Sequence, residues 1–501
     1  MTKYSLLFIA LIFFYSCGSL KNYEHYQERE LRGVWIATVA NIDWPKQSKD
    51  DVDKKKQDYI EILDFYKQLN FNAVIVQIRT AGDAFYPSTK APWSRFLTGQ
   101  EGHAEPPYNN FLEWMINQAH SRGLEFHAWV NPYRATIDDD LNKLSKQHDV
   151  FTHSEWMIKY GKKYYYNPGN PEVISHIADV IKEIVINYDI DAIHFDDYFY
   201  PYKIKDETFD DLITYHKYKR PKQSIDDWRR SNIDSLVSKT YKSIQDIKPW
   251  VQFGISPFGV WKNKENDPKG SDTHAGQTSY EDLYADPLSW IENKWIDYLV
   301  PQIYWSMDFE KASHRKLLKW WSINSYNTNL YIGNGSYKIR NNSDSAWFDK
   351  NEMLKQLKLA RNTSAVSGNV FFSAKSLRGN NTDIAQMIKS DLFRRQVLTP
   401  VSPLDTSSKR INKPKIETYR VSKDSIHITF KDINPLVRYL LIYQEDAHKK
   451  KVLKKKVFFN NSKSYEVVLK RANFNENNKF YFHYLDKYRK KSKAVQLKIK
   501  S

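Results

Sequence analysis

The chain of 501 residues contains a single cysteine, Cys17. No disulfide and no cysteine-built metal site can therefore form within it. Tight metal-ligand spacing is missing too. His127 and His194 are expected to be packed or hydrogen-bonded rather than metal ligands, and no cofactor is expected. No glycine-rich phosphate loop follows the first apolar strand, which argues against a nucleotide-binding open sheet. No nucleic-acid-binding signature accompanies the basic segments, so no nucleic-acid partner is expected. The amino-terminal apolar stretch is about a dozen residues long, too short for a membrane-spanning helix.

Hydrophobic residues make up 41% of the chain and mean hydropathy is −0.68, as in a soluble globular protein. The length favours two domains over one core. Net charge is +17, concentrated late in runs such as HKKKVLKKK and KYRKKSK, which read as a solvated basic face. Aromatics are abundant, with 15 Trp and 34 Tyr, and flat rings suit carbohydrate faces as well as interfaces. The opening MTKYSLLFIALIFFYSC has an early lysine, an apolar stretch and then Cys17, followed by Gly18 and Ser19. That is signal-peptide anatomy and resembles a lipoprotein lipobox. The expectation is cleavage after residue 16, an acylated Cys17 and a tether over 17–29. The chain would then be lipid-anchored in a bacterial envelope, on the outer membrane and facing the periplasm.

From residue 30, apolar runs alternate with helical periodicity. Strands are read in LRGVWIATV, NAVIVQIR, LEFHAWVNP, IDAIHFDD, VQFGISPF, IDYLVPQIYW, NLYIGNGSY and SGNVFFSA. Helices are read between and after them, for example over 171–188, 225–247 and 383–393. Eight near-continuous apolar strands alternating with eight helices predict a TIM barrel over 30–395. A Pro/Ser-rich linker over 396–412 follows. Short strands over 413–501 predict a small fibronectin type III-like β-sandwich, read as a spacer or interaction module.

A TIM barrel places its active site at the carboxyl ends of the strands. The polar and aromatic residues there include Trp35, Gln77, Arg79, Asp83, Trp129, Asn131, Arg134, Tyr198, Ser256, Trp261, Gln302, Tyr304 and Asp308. A ring of aromatics, amides and acids suits a sugar. The fourth strand ends in Asp196 and Asp197, within DAIHFDDYFYPY. Glycosidic cleavage needs an acid for the leaving oxygen and usually a second carboxylate. Asp196, Asp197 and Asp83 are the catalytic candidates, and which aspartate is the acid stays open. Arg79 and Arg134 either bind a substrate carboxylate or pair with the aspartates.

The segments LRGVWIATVANIDWP, VIVQIRTAGDAFYPS, AWVNPYR, IHFDDYFYPY, GISPFGVW, GSDTHAGQTSYEDLYAD and VPQIYW together resemble the glycosyl-hydrolase-like family 10 lipoproteins. That family includes a divisome-localised glycoside hydrolase of enterobacteria. The resemblance implies a TIM-barrel hydrolase of peptidoglycan glycan strands, preferring strands stripped of stem peptides, with cell-division or envelope proteins as partners. A weaker similarity to family 18 chitinases aligns Asp191 and Asp196 with two aspartates of DxxDxDxE. There His194 replaces the remaining Asp, and Tyr198 stands in the place of the catalytic Glu. The second carboxylate is then the other aspartate of the pair, Asp83 or Asp308, or is replaced by a substrate 2-acetamido group.

Overall fold

The computed structural model describes residues 27–103, 108–407, 411–446, 449–460, 463–470 and 479–497. The expected signal segment and Cys17 lie outside the described residues.

Eight parallel strands close into a barrel: β1 (Leu31–Ile36), β2 (Ala73–Arg79), β3 (Glu125–Val130), β4 (Ala192–Phe195), β5 (Gln252–Ile255), β6 (Tyr298–Leu299), β7 (Asn329–Asn334) and β8 (Val366–Phe371). Each is followed by a principal helix: α1 (Val52–Gln68), α2 (Phe111–Ser121), α3 (Pro171–Asn187), α4 (Ile225–Ile247), α5 (Pro287–Glu292), α6 (His314–Asn324), α7 (Glu352–Asn362) and α8 (Thr382–Asp391). This is the TIM barrel. Local chemistry sets the helix starts. Asn170 accepts from the Glu172 N–H and Pro171 occupies the first helical position of α3. Ser224 accepts from the Asp227 N–H at the start of α4.

Because side chains alternate across a strand, one set fills the barrel and the other packs under the helices. Trp35, Ile75, Trp129, Tyr298 and Tyr331 share the interior cluster. Val34, Val76, Phe195 and Phe253 join the helix-facing core. Gly254 makes room for this interior. A Cβ there would stand 2.0 Å from the Tyr298 ring.

Polar groups run along the barrel axis. The Trp35 indole donates to His194 Nε2 at 3.1 Å. His194 Nδ1 lies 3.1 Å from the Tyr298 hydroxyl, which lies 3.0 Å from His127 Nδ1. His127 Nε2 reaches Glu125 at 3.1 Å. The indole can only donate, so it fixes the direction of the series: His194 Nδ1–H donates to Tyr298, Tyr298 to His127, and His127 to Glu125. Both histidines are hydrogen-bonded core residues. Burial holds His194 neutral, well below the usual histidine range. Among the described residues, no group of three His, Cys, Asp or Glu is arranged to hold a metal.

The carboxy-terminal part forms two antiparallel sheets. β9 (Lys415–Val421), β10 (Ser425–Lys431) and β13 (Tyr465–Lys470) pair in the order β9-β10-β13. β11 (Val437–Glu445), β12 (Lys451–Phe458), β14 (Phe480–Asp486) and β15 (Val495–Leu497) pair in the order β12-β11-β14-β15. Ile428 and Phe430 of one sheet share a core with Leu440, Phe480 and Phe482 of the other, consistent with a small β-sandwich.

The sandwich is no free spacer. It closes the amino end of the barrel with two buried arginines. Arg489 meets Glu125, the first residue of β3, at 2.8 and 3.0 Å. Arg438 lies 3.1 Å from Asp189 and 3.4 Å from Asp191, just before β4. The segment read as a linker is packed in its first half: Thr399 Oγ1 donates to Glu125 and Ser402 Oγ to Asp297. The late basic runs are likewise not wholly solvated. Arg489 is 4% exposed, and Lys456 donates to the Gly123 carbonyl. A buried carboxylate, Glu125, holds Arg489 in place, and a backbone carbonyl of the barrel holds Lys456.

Candidate active site

The carboxyl ends of the barrel strands surround a cavity of about 370 Å³. Its rings come from many elements: Trp35 from β1, Phe258 after β5, Tyr304 and Trp305 after β6, Tyr337 after β7 and Phe372 after β8. β4 supplies the acid pair. Alternation sends His194 and Asp196 inward and Phe195 outward. The ladder stops at Phe195, so the chain is free to turn, and Asp197 reaches the same cavity.

Asp196 is 3% exposed and surrounded by donors. It accepts from the Asn131 side-chain amide, the Trp129 indole at 3.3 Å and the Tyr198 backbone N–H at 3.2 Å. The Asn131 orientation is set from behind. Gln77 Oε1 accepts the backbone N–H groups of Thr38 and Val39 at 3.1 and 2.9 Å. Its Nε2 must then donate to Asn131 Oδ1, which turns the Asn131 amide N–H toward Asp196. Arg134 stands 3.9 Å from the same carboxylate and lies over the Tyr198 ring at 4.6 Å.

Asp197 accepts from the Tyr202 hydroxyl. Burial pushes both aspartates up. For Asp196, the adjacent charge of Asp197 adds to burial, against Arg134 and the donors, and the carboxyl is pushed up to about 7. For Asp197, Tyr202 and Gln302 oppose the rise without cancelling it. Two buried carboxyls that cannot both ionise cheaply share a proton near neutral pH. An anion well supplied with donors beside a proton-bearing partner is the arrangement that acid-assisted cleavage of an acetal requires.

Of the residues singled out from the sequence, the structure brings Trp35, Gln77, Arg134, Asp196, Asp197, Tyr198, Gln302 and Tyr304 to this cavity. Asn131 stands behind it, fully buried, and positions Asp196 instead of facing a ligand. Asp83 is corrected as a catalytic candidate: its carboxylate accepts from Thr80 Oγ1 and the N–H groups of Thr80 and Ala81, holding the turn after β2. Arg79 is buried with Tyr166 and the Asp83 carbonyl, away from the cavity. Trp261 donates to Asp286 and stacks on Trp320 outside it. Asp308 is exposed and paired with Arg315. Tyr202, Phe258, Lys338 and Phe372 line the cavity but were not singled out. Tyr202 belongs to the aromatic run that follows the acid pair, which was the available signal. The other three lie beyond strand ends, with no local pattern to mark them.

A larger groove of about 840 Å³ is lined by Ser88, Asp149, Trp156, Glu172 and His176 among others. Two of its carboxylates, Asp149 and Glu172, are already engaged. Asp149 accepts from the Tyr166 hydroxyl, and Glu172 from the Trp156 indole. Those bonds and His176 keep Asp149 below its usual range despite burial, so Asp149 is no proton-bearing acid near neutral pH.

The family description "Glycosyl hydrolase-like 10" matches residues 30–349. The chain belongs to the glycosyl hydrolase-like 10 family. It is 43% identical over 480 residues to the glycosyl hydrolase YngK of Bacillus subtilis (strain 168), covering 93% of this chain and 92% of that protein. It is 36% identical over 378 residues to the glycosyl hydrolase DigH of Escherichia coli (strain K12), covering 71% and 85%. Among solved structures, the glycoside hydrolase domain of PgaB (BpsB) from Bordetella bronchiseptica aligns with a TM-score of 0.48 at 12% identity, over 72% of this chain and 98% of that one. By family, then, this glycosyl hydrolase-like 10 barrel is a glycosyl hydrolase, and its acid pair sits where a TIM-barrel enzyme keeps its chemistry.

Proposed function

We propose that the chain cleaves glycosidic bonds between N-acetyl sugars of peptidoglycan, acting on glycan strands freed of their stem peptides. The observation that carries this reading is the buried Asp196–Asp197 pair at the floor of a ring-lined cavity. Flat rings take the apolar faces of sugar rings, while Gln302 and Ser256 present polar groups to hydroxyls. Asn131, Trp129 and the Tyr198 N–H hold Asp196 as the carboxylate. The shared proton then resides on Asp197, which gives it to the leaving oxygen. Asp196 stabilises the positive charge that develops on the sugar or its acetamido group. The lipobox-like start supports an envelope location with Cys17 acylated, and the +17 charge suits an anionic wall polymer.

A second reading is a glycan-binding lipoprotein without turnover. Tyr198, standing where a chitinase-type acid would be, favours it. One digest separates the two. Purified peptidoglycan, with and without amidase pretreatment, is incubated with wild type, Asp196→Asn and Asp197→Asn, and products are read by mass spectrometry. Peptide-free fragments from wild type only are the expected result. Strand binding by all three proteins with no products from any would overturn the hydrolase reading.

A further inference from the structure

The cavity that holds the acid pair is also lined by two cations, Arg134 and Lys338. Arg134 is engaged: it faces Asp196 and covers the Tyr198 ring. Lys338 is different. It ends a short 3-10 turn, Ser336–Lys338, directly after β7. Its side chain is partly withdrawn from water. Among the described residues its ammonium has no ion pair and no hydrogen bond, and its one ring contact is Tyr337, 5.9 Å from the ring centre. Asp344 is the carboxylate whose field supports its charge. That carboxylate is itself engaged by the Ser306 hydroxyl and the Ala346 N–H. Burial pulls the lysine below its ordinary range. A cation partly removed from water without a directly paired counter-ion is unfavourable, and an anion arriving in the cavity would offset that cost. A wholly neutral glycan would leave the ammonium without a direct ion pair.

We propose that Lys338 reads a carboxylate on the sugar chain bound in this cavity, so that the substrate is an acidic amino-sugar polymer and not a neutral one. This rests on the glycosidase reading of the same site. In peptidoglycan the group of that chemistry is the lactyl carboxylate, which is free only when the stem peptide has been removed. An amide-linked peptide both neutralises it and adds bulk beside a cavity of about 370 Å³. A preference for peptide-free strands then follows from charge at one lysine.

The test uses the full chain and three glycans: peptide-free peptidoglycan strands, the same strands with carboxylates converted to methylamides, and neutral chitohexaose. Wild type is expected to prefer the carboxylate strands over the methylamides by about tenfold or more in kcat/KM. Lys338→Met is expected to erase most of that preference, lowering kcat/KM on the carboxylate strands about tenfold more than on the methylamides. Lys338→Arg should keep part of it. Equal losses on both strands, or no discrimination by wild type, would overturn the inference. Lys338→Gln with a thermal melt controls for misfolding. If wild type cuts none of the glycans, the hydrolase reading has failed. Binding of the same three ligands to wild type and Lys338→Met then decides the role of Lys338 by itself.

Discussion

Replacing Asp197 by asparagine removes one of two acidic groups buried at the end of β4, and leaves every donor around Asp196 in place. In the native chain the acid pair gives up its shared proton only near pH 7. The unfolded chain releases it near 3.8, the ordinary aspartate value. A native pKa raised in this way supplies stability that is complete at low pH and lost as pH rises toward 7. The rise of about 3 units corresponds to about 4 kcal/mol at 1.36 kcal/mol per unit. Burial is the first cause and the Asp197 charge the second, so removing that charge returns only part of it, roughly 1–2 kcal/mol. Asp197→Asn should therefore melt at nearly the wild-type temperature at pH 4.5. At pH 8.5 it should melt about 1–3 °C higher, while losing the acid that cleavage needs. Differential scanning calorimetry at the two pH values reads this directly. A variant less stable than wild type at pH 8.5, or equally shifted at both pH values, would refute the shared-proton argument.

Three further outcomes follow from named contacts. Tyr202→Phe removes the hydroxyl that lowers Asp197, so the alkaline limb of the kcat/KM profile should move up in pH, with activity reduced about tenfold. Asn131→Ala deletes the amide that holds Asp196 and orphans Gln77; kcat should fall about 10²-fold with KM little changed, measured on peptide-free strands. Arg489→Met leaves Glu125 buried beside His127 without its cation, and should destabilise the chain by roughly 3–5 kcal/mol in denaturant unfolding. In wild type, kcat/KM should decline as pH rises through about 7, because the pair then loses its shared proton.

The barrel was legible because buried parallel strands are apolar on both faces and leave long unbroken runs. The 225–247 helix, with Ser224 before it, coincides with α4. The sixth strand was read too long: IDYLVPQIYW yields only Tyr298–Leu299 as ladder, since Pro301 has no N–H to extend it. The acid pair was visible as two carboxylates where an apolar run stops. The roles around it were not. Gln77 and Asn131 look like surface amides of a strand end, and only the register of β2 against β3 and β4 turns them into a relay pointed at Asp196. Asp83 carries the same residue type beyond a strand end, yet the turn Thr80–Asp83 consumes both its oxygens. Arg489 reads as part of a basic run and Arg438 carries no mark in the sequence, because their partners Glu125 and Asp191 are hundreds of residues away. Long-range pairing of this kind leaves no local pattern.

The most direct measurement of the central claim is hydrolysis of peptide-free glycan strands in ¹⁸O-water, with wild type, Asp196→Asn and Asp197→Asn compared by mass spectrometry. One ¹⁸O at each new reducing end from wild type, and none above background from either variant, is the predicted result. Labelled ends formed by either variant at the wild-type rate would show that the pair at the end of β4 does not carry the cleavage.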